Sequence, residues 1–277
     1  MSVSSTTRAV GTVKTLPQGS YGISGLLRSE WTKLRSLRST MWTLGITVVL
    51  GIGISALATA ETRAHWSSMS LGDRLSFDPT GTSLIGVFVG QLTIGVLGVL
   101  VMSGEYGSGT IRATFAASPR RPLLLAAKAA VFGAVALCVA EFVAFISYFL
   151  GQALLSAPAT HTTLASPGAL RAVVGSGLYL CLIGLFALGL ATIIRHTPGA
   201  ISAFLGILLV VPIIVRALPN SLALEIEKFM PDHIGTAVVS LQRGADSFPP
   251  WVGLLLLCGY ATLALVLGGA LLVRRDA

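Results

Sequence analysis

Long apolar blocks alternate with short polar segments along this chain. Six of the blocks reach the roughly 20 residues that a helix needs to cross a hydrocarbon core about 30 Å thick. These blocks lie at residues 41–60, 81–102, 123–150, 170–194, 199–218 and 251–273. The strands of a membrane barrel would instead be about 10 residues long and alternate in polarity. The pattern therefore predicts an all-α integral membrane protein with six transmembrane helices.

Charge distribution sets the expected orientation of these helices. The formal net charge of +8 could indicate nucleic-acid binding, but the basic residues sort by side of the membrane instead of forming one patch. With the N-terminus inside, the inner side holds Arg8, Lys14, Arg28, Lys33, Arg35, Arg38, Arg112, Arg120, Arg121, Lys128, Arg195, Arg274 and Arg275. The outer side holds Arg63, Arg74, Arg171, Arg216, Lys228 and Arg243. The positive-inside rule then predicts that both termini are cytoplasmic, and we expect no nucleic-acid partner.

The residues ahead of the first block carry two different patterns. Residues 1–20 are rich in Ser, Thr and Gly without apolar periodicity, which indicates a flexible cytoplasmic tail. Residues 21–40 place apolar side chains, Trp31 among them, at helical spacing with basic residues between them. A helix of this kind lies at the headgroups of membrane lipid. We therefore expect an N-terminal interfacial amphipathic helix, the elbow, ahead of a transmembrane domain at 41–277; the alternative is a solvated cytoplasmic helix.

The polar segment 103–122, between the second and third blocks, is the most informative part of the chain. Gly104, Gly107 and Gly109 are expected to end the second span and to permit a tight reversal. Because apolar blocks flank it on both sides, this segment must be a short loop at one membrane surface. It is therefore a candidate docking surface.

A short helix is predicted inside this loop, at residues 111–118. Thr110 can cap it and Pro119 can stop it. Ile111 and Phe115 share one face at i, i+4 spacing, with Arg112 beside them, and two exposed apolar anchors next to a charge would fit a groove of a partner protein. An ion pair or shared network within the loop is also geometrically possible between Glu105 and the basic residues Arg120, Arg121 and Lys128.

The loop resembles a signature of ABC-2 type permeases, the membrane subunits of bacterial ATP-binding cassette exporters. The residues that carry the resemblance are Glu105, Tyr106, Gly107, Ser108, Gly109, Thr110, Arg112, Ser118, Pro119, Arg121 and Lys128. Segments 29–35 (SEWTKLR), 229–231 (FMP) and 274–277 (RRDA) are similar to actinobacterial members of that family. The resemblance covers the chain from about residue 22 to its end.

The resemblance implies a specific division of labour. In that family an interfacial helix precedes six spans, the loop between spans two and three docks on a separate ATPase, and two permease chains pair around the transport path. The implied coupling residues are Glu105, Gly107, Gly109, Thr110, Ile111, Arg112, Phe115, Pro119 and Arg121. The implied partners are a cytoplasmic ABC ATPase subunit and a second permease copy, in a homodimer or heterodimer, in a bacterial cell membrane. ATP and Mg would bind to the ATPase, and no cofactor to this chain.

The short motifs of membrane enzymes do not occur in the sequence. A Gly-Lys dipeptide is absent, so the chain has no phosphate-binding loop of the Walker type, and His-Glu-x-x-His, Gly-x-Ser-x-Gly and Gly-x-Gly-Asp are absent as well. The three cysteines lie within predicted spans, so neither a disulfide framework nor a zinc site is expected. The sequence therefore favours a non-catalytic membrane subunit.

Glu141 is the only carboxylate within a predicted span. An acid at that depth should face the bundle interior, stay protonated or pair with a neighbour. It could take part in proton or substrate transfer, or it could be a neutral acid hydrogen-bonded between helices. A proton-coupled secondary transporter that uses Glu141 is therefore the alternative to an ATP-driven exporter.

Overall fold

Helices are the only regular secondary structure in residues 22–117, 120–156, 159–241 and 247–275, which the computed structural model describes. The predicted tail at 1–20 and Pro119 lie outside the described residues. The α-helices are α1 (Ile23–Ser36), α2 (Arg38–His65), α3 (Leu71–Leu75), α4 (Pro79–Ser83), α5 (Val87–Gly107), α6 (Thr110–Ala117), α7 (Arg121–Leu154), α8 (Ala169–Ile194), α9 (Thr197–Leu205), α10 (Val211–Arg216), α11 (Asn220–Glu227), α12 (Pro231–Val239) and α13 (Pro250–Arg275).

Six helical stretches in the described residues are long and apolar enough to cross a membrane. They are Arg38–Ser68, Val87–Gly107, Arg121–Leu154, Ala169–Ile194, Thr197–Arg216 and Pro250–Arg274, and we number them spans one to six. Each overlaps one of the six predicted blocks, so the prediction of an all-α protein with six spans is confirmed. The protein is accordingly a multi-pass membrane protein. The cytoplasmic position of its termini and the interfacial position of α1 stay predictions.

Spans two and four, formed by α5 and α8, make the centre of the bundle. In these two spans 61% of the apolar stretch is buried inside the protein, against 28% or less in the others. A Cβ added at Gly98 of α5 would lie 2.3 Å from the carbonyl oxygen of Gly184 in α8, so the two backbones are in direct contact. Gly86, just before α5, approaches the carbonyl oxygen of Gly51 in α2 in the same way, with 1.9 Å for an added Cβ. Small residues at these crossings allow close helix packing within a membrane.

The second span begins later than the sequence predicted. Its block was predicted from residue 81, but residues Pro79–Ser83 form the separate helix α4, and α5 starts only at Val87. Asp78 caps α4, because its Oδ1 accepts hydrogen bonds from the backbone N–H groups of Thr80 at 3.0 Å and Gly81 at 2.9 Å. Proline in the first turn favours a helix start at this point.

The fifth span is interrupted near its middle, as its proline predicts. A π-helical turn at Gly206–Val210 separates α9 from α10, and Pro212 lies in the first turn of α10. Proline cannot donate a backbone hydrogen bond, so the helical ladder is broken just before it.

Two short helices, α11 and α12, lie in the segment between spans five and six. Residues 242–246 of this segment lie outside the described residues. Arg171 of α8 donates a hydrogen bond to the carbonyl oxygen of Ser240 at 3.0 Å, and Leu241 N–H donates to Asp78 Oδ2 at 2.7 Å. The segment therefore packs against the beginnings of α4 and α8.

Candidate functional site

The candidate site is the end of the bundle that carries α6, here called the loop-helix end. Helix α5 continues through Gly104 and ends at Gly107, so Gly107 ends the span as predicted and Gly104 does not. The chain reverses at Gly109, whose φ of 71° lies in the left-handed region that glycine adopts without a steric cost. Of the three glycines, Gly109 therefore makes the turn. Gly104 lies inside the helix, where glycine is less favourable than alanine by about 1 kcal/mol.

Helix α6 begins one residue earlier than expected. Thr110 is its first residue and not a cap outside it. The Thr110 and Ser108 hydroxyl groups lie 2.9 Å apart, and Arg112 N–H donates to the carbonyl oxygen of Gly109 at 3.3 Å. A hydrogen bond between two side-chain hydroxyls and one within the backbone turn thus stabilise the start of the helix.

The apolar face of α6 is turned towards the bundle, which corrects the prediction that its anchors are exposed. Ile111 is only 7% exposed and belongs to the main core, and Phe115 is half-buried against the same core. The guanidinium carbon of Arg121 lies 5.1 Å from the centre of the Phe115 ring. Burial of apolar side chains is favourable, and the bundle supplies a surface without any partner. Arg112, in contrast, is exposed, so a partner would meet a basic face of α6.

A groove of about 650 Å³ lies beside α6. Its lining consists of Tyr106, Gly109, Ile111, Arg112, Phe115, Arg121 and Arg195. The Arg195 guanidinium lies 5.5 Å from the Tyr106 ring centre, a distance at which a cation and an aromatic face attract each other. Among the described residues, three guanidinium groups and no carboxylate line this groove, and the exposed Arg112 is the one that could meet an anionic partner group.

Two of these arginines also connect the loop-helix end to span six. Arg121 donates a hydrogen bond to the carbonyl oxygen of Leu272 at 2.9 Å, and Arg195 donates to that of Leu271 at 3.0 Å. Both carbonyls belong to the last turns of α13, where cations are favourable. The start of α7 and the end of α8 are therefore both held to the end of span six.

A group of four charged residues, two of them buried, holds the start of the loop, and we call it the charge cluster. It consists of Glu30 and Lys33 of α1, Glu105 of α5 and Lys128 of α7. Lys128 Nζ lies 2.7 Å from Glu105 and 2.6 Å from Glu30, while Lys33 Nζ lies 3.0 Å from Glu105 and 2.6 Å from Glu30. Glu30 is 2% exposed and Lys128 is 3% exposed. The cluster thus joins three helices at one buried point.

The structure brings together one of the expected pairs and leaves the others apart. Glu105 pairs with Lys128, as the sequence allowed. Arg120 is exposed, and Arg121 contacts Phe115 and α13 as described above. Sequence reasoning missed Glu30 and Lys33 of the elbow.

The two acids and two bases of the charge cluster balance each other, which is the arrangement that burial of charge requires. Burial alone would lower the pKa of Lys33, but its hydrogen bond to Glu30 and the negative charges of Glu105 and Glu30 raise it above the usual 10.5. Stabilisation by charged Lys33 is therefore complete below pH 10.5 and is lost only as the pH rises through the higher, folded-state value. At neutral pH this lysine keeps its charge.

Helix α1 packs on the bundle through part of the stripe that was predicted to meet lipid. Leu26 contacts Leu124 and Ala127 of α7. Ile23 and Trp31 remain 59% and 50% exposed, so they form the part of the stripe left for a membrane surface. The apolar face of the elbow is thus divided between protein and surroundings.

Glu141 lies at the contact between α7 and α8, away from the loop-helix end. A Cβ added at Gly177 of α8 would lie 2.3 Å from the Glu141 carboxyl carbon, so the carboxyl group occupies the space that this glycine leaves. Its buried Oε2 has no hydrogen-bond partner among the described residues. Nowhere in the residues that the structure describes do three or more His, Cys, Asp or Glu side chains come together as a possible metal site.

No model of a known protein family matches the sequence, and no curated protein matches it either. The class of the molecule therefore follows from its own geometry, which is that of a six-span membrane protein with a helical loop held by buried charges.

Proposed function

We propose that this protein is the permease subunit of an ABC-2 type exporter. Its six spans form the transmembrane path, and α6 binds a separate cytoplasmic ABC ATPase that carries ATP and Mg. A second permease copy, identical or not, completes the path. The protein lies in the bacterial cell membrane with both termini in the cytoplasm, and it catalyses no reaction itself.

The observation that carries this proposal is the attachment of the loop between spans two and three. Helix α6 follows α5 after the single turn at Gly109, and Glu105, in the last turn of α5, forms ion pairs with Lys33 and Lys128. A force on α6 therefore reaches span two, span three and the elbow together. A loop that served only to connect two spans would not need this attachment.

The exposed side of α6 supports the choice of a protein partner. Arg112 is exposed on the helix, and three arginines are among the residues that line the groove beside it. Complementary charge increases the rate and the specificity of protein association. The resemblance of residues 105–121 to the family signature points to an ATPase as that partner. ATP-driven motion of the ATPase would then favour one of two states of the permease.

Co-purification tests the proposal. The neighbouring gene is expected to encode a soluble ATPase with a Walker-type loop, and both chains are expressed together with a tag on the permease. We expect the wild-type permease to retain the ATPase and the Arg112→Glu variant to lose most of it, because the charge that meets the partner is reversed. The bound ATPase is measured by quantitative gel analysis.

The matched control is Arg35→Glu, which reverses an equally exposed charge on α1. It should retain the ATPase at the wild-type level. Equal retention by both variants would remove α6 as the binding site, and absence of any ATPase with the wild-type chain would remove the proposal itself.

A proton-coupled secondary transporter is the second candidate, because Glu141 has a buried carboxylate oxygen without a partner in the described residues. Proteoliposomes that contain this chain alone distinguish the two. Substrate movement driven by a pH gradient, and lost in Glu141→Gln, would favour this candidate over the exporter. The exporter predicts no such movement without its ATPase.

A further inference from the structure

A second groove, of about 400 Å³, runs along the outer side of the bundle between α7 and α13. All nine lining residues are apolar: Pro122, Leu125, Ala126, Ala129, Leu265, Val266, Gly269, Ala270 and Val273. The small side chains among them leave the groove open, since Ala126 and Ala270 are exposed while Leu125 and Gly269 are buried at its floor. The groove thus has a wall from each helix and a shared floor.

The position of the groove places it just below a membrane surface. Pro122 lies in the first turn of α7 and Val273 in the last turns of α13, so the groove starts at the loop-helix end. From Pro122 to Ala129 a helix rises about 10 Å, which carries the groove well into the hydrocarbon region of one leaflet. An apolar occupant from that leaflet could enter it from the side.

The mouth of the groove is basic. Arg120 and Arg121 directly precede its first lining residue on α7, and Arg274 directly follows its last on α13. Arg120 and Arg274 are exposed. Residues 120–130 and 265–275 contain four arginines and one lysine, and the nearest acid in the sequence is Asp276, after Arg275. Apolar walls below a basic mouth suit a molecule with acyl chains and an anionic head.

The geometry points to this groove as a binding site for an anionic phospholipid of the adjacent leaflet, with an acyl chain between α7 and α13 and its phosphate at Arg120 and Arg274. Basic pockets between transmembrane helices hold such headgroups, and each basic residue near anionic lipid contributes about 1 kcal/mol. The inference rests on the span assignment, and it depends on the proposed function only for the name of the leaflet.

Native mass spectrometry of the purified chain in detergent, titrated with phosphatidylglycerol or phosphatidylcholine, tests the inference. We expect tight binding of one phosphatidylglycerol and weaker binding of phosphatidylcholine. Arg120→Ala and Arg274→Ala should each weaken phosphatidylglycerol binding roughly fivefold, the factor that about 1 kcal/mol gives. Phosphatidylcholine binding should hardly change in either variant.

Filling the groove provides the second arm. Ala126→Phe and Ala270→Phe place a large side chain in it at exposed positions, so folding is preserved, and both should abolish the tight site. Ala134→Phe, at an exposed position of α7 outside the groove, is the matched control and should bind like the wild type.

Three outcomes would overturn the inference. The first is unchanged phosphatidylglycerol binding in both filled variants, and the second is equal affinity for the two lipids in the wild type. The third is a dimer mass that disappears in the filled variants, since the groove would then be a contact between two copies of this chain. None of these outcomes depends on the ATPase, so they leave the proposed function to its own test.

Discussion

Lys128 is the residue on which the loop-helix end depends most. It lies between the carboxylates of Glu30 and Glu105 and is almost fully buried. Its removal would leave two acids facing only Lys33. Loss of one partner from a buried ion pair is far more costly than the pair is stabilising, because the remaining charge stays desolvated.

We expect Lys128→Met to lower the free energy of unfolding by about 3–5 kcal/mol for this reason. The measurement is thermal unfolding of the purified protein in detergent, followed by tryptophan fluorescence. Arg120→Met, which changes an exposed base eight residues earlier, should leave the transition in place. Equal transitions for both variants would show that the cluster does not hold the fold.

Two glycines near the loop should respond in opposite directions to the same substitution. Gly109→Ala forces a side chain into a left-handed backbone and should destabilise the protein by about 1 kcal/mol. Gly104→Ala should stabilise it by up to about 1 kcal/mol, because Gly104 lies inside α5. Among the described residues, no atom beyond the adjoining backbone lies within 4 Å of an added Cβ at either position. Destabilisation by both would contradict the assignment of the turn to Gly109.

At this scale the sequence allowed an ion pair of Glu105 with Arg120, Arg121 or Lys128, and it did not indicate the partners from α1. Glu30 lies four residues from both Leu26 and Leu34, on the buried face of the helix. A carboxylate on the apolar face of an amphipathic helix is the signal that was available. The inward direction of Ile111 could not be predicted, because periodicity shows which residues share a face and not what that face contacts.

At the scale of the element, α1 packs on the bundle, while its position at a membrane surface stays a prediction. Its buried side contacts α7, and its charges reach both α5 and α7. The hydrophobic pattern alone does not distinguish burial against lipid from burial against protein, since both environments are apolar. For this reason the helix of the elbow was predicted from the sequence, but its contact with α7 was not.

We expect Leu26→Ala to cost about 2 kcal/mol of stability, because it removes a buried side chain from the contact with α7. Ile23→Ala on the same helix should cost little in detergent, since Ile23 is largely exposed. The two variants are compared by the thermal unfolding measurement described above. Equal losses of stability in the two variants would contradict a stabilising contact of Leu26 with α7.

At the scale of the whole molecule, the number and order of the spans were predictable, and their packing was not. Apolar length identifies a span in any membrane protein, because each must cross the same hydrocarbon core. The central position of α5 and α8 depends on close approaches such as Gly98 to Gly184. Glycine is frequent in membrane helices generally, so its spacing does not indicate which helices meet.

The orientation of the molecule is tested by labelling single cysteines in intact cells. Cys138, Cys181 and Cys258 are first replaced, and Ala113→Cys on α6 or Leu71→Cys on α3 is then introduced; both positions are exposed. A membrane-impermeant maleimide should label the cysteine at 71 and leave the cysteine at 113 unlabelled until the cells are opened. Labelling of position 113 in intact cells would place α6 outside and exclude a cytoplasmic ATPase as its partner.

One carboxylate at the end of span two, and another on the segment that leads into it, contact distant parts of the chain. Glu105 joins the end of the span to α1 and α7, and Asp78, which caps α4 ahead of the span, accepts a hydrogen bond from the amide of Leu241 at 2.7 Å. A helix that is restrained near both ends can tilt or rotate about its axis more easily than it can move along that axis. A force applied to α6 should therefore rotate span two, including its end on the opposite side of the bilayer, and α12 should rotate with it.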